Sequence, residues 1–481
     1  ATLTSATIQW EINGVLQPPY SWTGSLLEKE SALVTLGNYQ FVNATSYDFK
    51  IYTDSPNGIV DCDAYNDTTY LNSIFAGGLL CGVYTIGGVS PDFLNFTDAA
   101  YVLNNVGISC PVVFNVRDTI YDEQIKIYDV QGSSSVNTIT LNGESGDSSV
   151  AGLHYQNSDP SNDFSLALVG THNIFFNDLT IDRSNGSDAM LIQGGAHHVT
   201  VTNSKLGGNI KSPRYSVDSV LTFVGNNMEE KTIELYHPVG TDAGRIRIEN
   251  NYLNYININN FSNAQIINNS RNSSKDAAYL FRLDTCKNIT FSNNILRRND
   301  FYGDTNMVYT DNKLYRETSW RQFYAQNCYN LSLSNNVYND ALRANAVAFV
   351  SSEKITVQND SILNPSQNYT WAQVAAALTV STVNDFIFKD NYVRTAGRTY
   401  SILISGTNDS IFIKRNHLET FSTDTHGAYV SGGVSYLEID SNVISNHIYS
   451  GLYLRPRVGN EWRVRGNTIE NIVDKSIDLL G

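Results

Sequence analysis

One short phrase, repeated along the chain, restricts the fold more than any other feature of the sequence. It reads apolar, any residue, apolar, two or so polar residues that include Asn, one further residue, then apolar again. Ile289 and Phe291 precede Asn293-Asn294, and Leu296 follows. Leu331 and Leu333 lead to Asn335-Asn336 and Tyr338, and Ile355 and Val357 lead to Asn359-Asp360 and Ile362. The phrase returns at Phe386-Phe388, Ile411-Ile413, Leu437-Ile439 and Trp462-Val464, and in weaker form at Ile174-Phe176, Val199-Val201 and Ile246-Ile248. Anchored three residues after the second apolar position, the series runs 179, 204, 227, 251, 269, 294, 336, 360, 391, 416, 442, 467. Most steps are 23–26 residues; the exceptions are 18 between 251 and 269, 31 between 360 and 391, and 42 between 294 and 336.

Alternation of two inside a period near 25 belongs to short strands separated by bends, not to helix pairs. The alternating Ile, Leu, Val and Phe point inward and stack on their counterparts in neighbouring coils. Asn at the bend tolerates left-handed backbone and bonds its own ladder or the bent backbone. This predicts an all-β, right-handed parallel β-helix over 82–481, with about twelve coils and a length of roughly 60 Å at ~4.8 Å per coil. The chain holds 55 Asn, and only 16% of its residues are charged, so polarity resides in turn formers. Its 481 residues exceed what one compact core supports, which suits an elongated array.

A formal charge of −15 disfavours nucleic acid and anionic membrane as partners. No run approaches the ~20 apolar residues of a bilayer span, so membrane insertion is not expected. No charged-then-apolar leader stands at Ala1, as expected of a mature protein or a piece of a longer one. The five cysteines form no CxxC pair, and neither metal nor cofactor is expected. Cys62 and Cys81 flank the domain junction and are the candidate disulfide. Cys110 has no obvious partner. Cys286 and Cys328 share one slot, eight residues before Asn294 and Asn336, and read as a small buried ladder.

Residues 1–73 have another grammar, with alternating strands at Ile8–Asn13, Ala32–Gly37 and Tyr47–Tyr52 separated by turns. They read as a small antiparallel β-sandwich, joined through a linker at 74–81 to the solenoid. The region resembles CARDB-like, immunoglobulin-type modules of bacterial surface proteins, down to Asn57-Gly58-Ile59-Val60-Asp61. At 96–106, Phe96, Ala99, Ala100, Leu103 and Val106 share a helical face. Thr97 or Asp98 is expected to cap this helix and Gly107 to stop it. A helix followed by strands at Pro111–Val116, Glu123–Ile127 and Asn137–Leu141 resembles the opening of pectin-lyase-like β-helices. Gly82–Gly88, Ser90–Phe93 and Gly107–Val116 resemble a secreted repeat module of Bacteroidetes. These resemblances imply a multi-module protein that is secreted to the cell surface, with neighbouring modules as partners.

The 42-residue interval reads as one coil plus an insertion rich in charges and aromatics. Asp300, Tyr302, Asp304, Tyr309, Tyr315, Trp320 and Arg321 are the candidate glycan-binding residues, since rings stack on sugar faces and Asp or Arg bonds hydroxyls. His197-His198 reads as a turn pair, because no further ligands stand at metal spacing. Asp385-Phe386-Ile387-Phe388 is similar to a pectin methylesterase phrase, yet it fills an ordinary repeat slot. Asp followed by Ser or Thr and then by an apolar residue or Thr marks candidate O-glycosylation at Thr68, Thr119, Ser219, Ser361 and Ser410, as the Bacteroidetes resemblance implies. No convergent catalytic cluster emerges. The expected function is therefore a structural or adhesive surface segment that binds polysaccharide or a host surface. The alternative is a polysaccharide lyase or hydrolase that uses the insertion.

Overall fold

A computed structural model describes residues 2–42, 45–60, 67–156, 163–183, 188–213, 220–229, 231–239, 244–270, 280–317, 321–341, 345–364, 375–396, 399–420, 426–457 and 459–479. At the N-terminus, strands Leu3–Ile12, Val15–Leu16, Tyr20–Leu26, Thr45–Asp54 and Thr68–Ala76 form one five-stranded antiparallel sheet. The second layer of the expected sandwich has no counterpart among the described residues. Its material is spent differently: residues 31–42 run without strand pairing. Tyr39 and Phe41 pack edge-on against Tyr47, and Leu36 packs on the small core of Trp10, Ile12 and Tyr47. The expected linker at 74–81 instead carries the ends of two strands, Thr68–Ala76 and Leu80–Ile86, and the latter already pairs in parallel with Ile108–Val116.

From Leu80 onward the chain winds into a parallel β-solenoid of about 14 turns. Sheet one has sixteen strands, from Leu80–Ile86 to Glu461–Arg465, and sheet two has fifteen, from Ile125–Ile127 to Lys475–Leu479. A third, narrower wall consists of two runs of short strands, joined by single-residue bridges through Asn227, Tyr252 and Ser270. Every register stacks an inward residue on an inward residue: Leu331, Ile355, Phe386, Ile411 and Leu437 form one such column, and all are buried. Non-directional burial of these stacks supplies the main favourable term for folding.

The Asn doublets have a division of labour that explains their spelling. The first member takes the left-handed bend and stays outside, as at Asn250, Asn268, Asn293, Asn335 and Asn359 (φ 55–59°). Gly225 and Gly466 fill the same slot where the doublet is broken. The second member turns inward as a rung. Backbone N–H of each rung donates to the side-chain oxygen of the next, from Ser204 through Asn226, Asn251, Asn269, Asn294, Asn312, Asn336, Asp360, Asn391, Asn416 and Asn442 to Asn467, at 2.8–3.1 Å. The rung of the Asn226-Asn227 pair is thus Asn226, one residue before the anchor read from sequence.

Asn312 revises a larger reading. It splits the 42-residue interval into steps of 18 and 24 residues, the sequence separations of its bonds to Asn294 and Asn336. The interval is two ordinary coils, not a coil plus an insertion. Met307 and Tyr309 are the inward pair of the extra coil and are buried, with Leu314 after the rung.

The N-terminal end is closed by helix Phe96–Asn105, whose buried face is Phe96, Ala99, Ala100, Val102 and Leu103. Its cap is Asn95, which accepts from Asp98 N–H at 2.9 Å, rather than Thr97 or Asp98. Thr97 is engaged elsewhere, donating to the Glu123 carboxylate. Gly107 at φ 88° ends the helix. Cys81 pairs with Cys110 instead of Cys62, because Leu80–Ile86 and Ile108–Val116 are adjacent parallel strands of sheet one. Cys62 lies outside the described residues. Cys286 and Cys328 are free and buried, and the coil of Asp304 lies between theirs, so they do not stack directly.

Candidate functional site

Parallel register turns single outward positions of sheet two into columns. One column reads Glu234, Asn257, Arg282, Asp300, Tyr324, and the next reads Tyr236, Asn259, Asp284, Tyr302, Gln326. Alternate residues of a strand share a face, so Arg282-Leu283-Asp284 and Arg298-Asn299-Asp300 each fold into a two-point ion pair. Arg282 bonds the Asp284 oxygens at 2.8 and 3.3 Å, and Arg298 bonds those of Asp300 at 3.1 and 2.6 Å. The Arg282–Asp284 pair is partly exposed and adds little stability, whereas Asp300 is buried beneath Arg298. What they fix is position.

Aromatic rings interleave with these pairs. The Arg282 guanidinium lies 4.7 Å from the Tyr302 ring centre, and that of Arg321 lies 3.8 Å from Tyr324. Tyr302 and Tyr324 meet edge to face at 5.7 Å. Tyr302 OH donates to Asp300 at 3.4 Å, and burial, with Asp300 beside it, raises its pKa so that it stays a donor. Tyr236 OH donates to Glu234 at 2.7 Å and accepts from Asn257 at 3.2 Å. Asn257 Oδ1 is buried without a partner among the described residues. The result is a shallow face of rings, guanidinium edges, carboxylates and hydroxyls spread over five coils.

The structure distributes the seven expected residues unevenly. Tyr302 and Arg321 join this face, and Asp300 lies beneath it, 2% exposed and paired to Arg298. Asp304 and Tyr309 do not, being fully buried. Asp304 accepts from Cys286 N–H at 2.7 Å, and burial holds its carboxyl protonated well above the usual range. Tyr309 takes an inward position of sheet one, where its hydroxyl accepts from Asn299 at 2.7 Å. Tyr315 is exposed on the third wall, in Lys313–Glu317. Trp320 lies outside the described residues. Tyr324, Arg282, Asp284, Asn257 and Glu234 join the face without any expectation from sequence. Their signal is the paired Arg-x-Asp spelling on consecutive coils, which is hidden while each coil is read alone.

Of the Asp-Ser/Thr positions, Thr119 is exposed at a turn, its hydroxyl donating to Asp118 O at 2.7 Å. Thr68, Ser361 and Ser410 are half-buried in strands, and Ser219 lies outside the described residues. His197 and His198 sit at a strand start, with His197 stacked on His172 at 5.0 Å. A cleft of about 430 Å³ opens on sheet one between Thr222, Arg245, Arg247, Asn263 and Gln265. It carries no aromatic ring, so ring-on-sugar chemistry belongs to sheet two.

No protein-family model matches the chain, and no curated protein matches it. Among solved structures it is similar to a variant of the periplasmic alginate epimerase AlgG, at 10% identity and a TM-score of 0.35, covering 75% of this chain and 78% of that one. It is similar to the GH136 lacto-N-biosidase from Eubacterium ramulus, at 10% identity and 0.32, covering 83% and 68%. It is also similar to the Streptococcus pneumoniae surface protein and adhesin PfbA, at 13% identity and 0.28, covering 80% and 94%. The fold is defined by its own strand register.

Proposed function

We propose that the protein is a glycan-binding, adhesive segment of a secreted cell-surface protein, and that it holds polysaccharide on the outer face of sheet two. The observation that carries this reading is the convergence of Arg282, Asp284, Arg298 and Tyr302 from successive coils onto one half-exposed face, with Asp300 and Tyr324 buried directly beneath it. Rings offer apolar surface to sugar faces, and ionised side chains make stronger hydrogen bonds to hydroxyls than neutral ones do. The Cys81–Cys110 bridge supports an oxidising compartment outside the cytoplasm. Binding is favoured over catalysis because Asp284 and Asp300 are each already engaged by an arginine of their own strand.

A glycan array followed by affinity electrophoresis tests the reading. Tyr302→Ala is expected to weaken binding about tenfold, or roughly 1.4 kcal/mol, while Thr356→Ala on the outer face of sheet one leaves it unchanged. Release of soluble oligosaccharides from a bound polymer, or equal binding by both variants, would overturn it.

A further inference from the structure

The charges of this face carry a conclusion about its ligand. Between 232 and 326 the strands of sheet two carry two cations, Arg282 and Arg298, and three anions, Glu234, Asp284 and the buried Asp300, and Arg321 stands beside them over Tyr324. With Arg321 these charges balance, in a chain of net charge −15. Two of the three guanidinium forks are already closed on carboxylates, and Arg321 lies flat over Tyr324. We infer that the polysaccharide held here is uncharged, a neutral hexose or pentose polymer rather than a uronic or sulfated one. This rests on the glycan reading given above and sharpens it.

Competition for the arginines decides between the two classes. A carboxylate or sulfate on a sugar is bound well by an open guanidinium fork, in two-point geometry. Here it would have to displace the half-buried Asp284 or the buried Asp300, leaving that carboxylate without its cation. It would also approach against the long-range field of an acidic protein. A neutral sugar meets neither obstacle. Its hydroxyls can donate to the outer lone pairs of Asp284 and can accept from the Arg282 N–H groups outside its ion pair. Every existing bond survives.

The test compares neutral polymers (β-glucan, xylan, galactomannan) with anionic ones (polygalacturonate, alginate, a sulfated galactan) by affinity electrophoresis at about 20 mM and about 300 mM salt, which brackets strong and weak screening. Retention by a neutral polymer, with an affinity that changes less than about twofold between the two salts, is expected, with no retention by the anionic set. Asp284→Asn, which opens the Arg282 fork, is expected to gain affinity for polygalacturonate at low salt. A gain of that kind cannot come from misfolding. If an anionic polymer binds wild type best and is lost at high salt, the charge assignment fails while the glycan reading stands. If no polymer binds, both fail.

Discussion

Asp360→Asn is expected to stabilise the solenoid by about 3–4 kcal/mol at pH 8 and to change it little near pH 4. Asp360 is the one acid in the buried ladder. It accepts from the backbone N–H and side-chain amide of Asn336 at 2.8 and 3.1 Å, as an asparagine would. The difference lies on its other oxygen. Elsewhere a rung's amide nitrogen donates to the next rung's oxygen and to a sheet-one carbonyl, as Asn391 does to Asn416 and Val357. In place of that amide nitrogen Asp360 has an oxygen, which accepts from Asn336 Nδ2 at 3.4 Å and, when ionised, cannot donate to the next rung, Asn391. Burial, partly offset by the bonds from Asn336 and by the Tyr338 hydroxyl, pushes its pKa up to about 7 from an ordinary 3.8.

The sign follows from linkage. The folded pKa is raised, so the neutral carboxyl's contribution is fully present below 3.8 and is lost as pH rises through 7. Every tenfold gain in proton affinity on folding corresponds to about 1.4 kcal/mol, and this sets the size of the effect. Asparagine has no proton to lose, and it restores the missing donor. Thermal unfolding of both proteins from pH 4 to pH 9 measures this. A difference that stays flat with pH would show that the ladder tolerates the anion.

Asn294→Ala is expected to cost about 3–5 kcal/mol, the opposite direction at a neighbouring rung. Its oxygen accepts from the Asn269 backbone and side chain at 2.9 and 3.1 Å, and its amide donates to Asn312, Ile266 O and Ser292 O. Alanine strands these groups in a dry interior, at ~1–3 kcal/mol each and not additively. Asn293→Ala, one residue earlier on the exposed left-handed bend, is expected to cost only about 1–2 kcal/mol, the penalty of αL backbone for a residue with a Cβ. Chemical denaturation of the pair separates rung from bend. Equal losses would mean that the ladder contributes no more than the turn.

The ladder is the legible part of this fold. A period near 25, inner alternation and Asn at the bend are all local consequences of stacking one coil on the next, so they are written in each coil. The coil around Asn312 escapes such a reading because Tyr309, in sequence, looks like a surface ring. In fact its hydroxyl finds Asn299 inside the core, which lets a tyrosine stand where Phe291 and Leu333 stand in adjacent coils. A short coil thereby passes for an insertion and draws Asp304 into the expected site. Asp300, Tyr302 and Arg321 are indeed neighbours, but not because an insertion gathers them. Their partners Arg282, Asp284 and Tyr324 come from other coils, and only strand register brings them together. The disulfide is illegible for the same reason: Cys81 and Cys110 are 29 residues apart in sequence and become neighbours only when their strands pair.

Hydroxyl-radical footprinting of tyrosines at saturating polysaccharide is the sharpest check on whether sheet two holds a glycan. Tyr302 and Tyr236 are predicted to lose reactivity, while the exposed Tyr101 and Tyr128 near the capping helix keep theirs. Unchanged labelling of Tyr302 and Tyr236 while polysaccharide is bound would rule out a glycan site on that face.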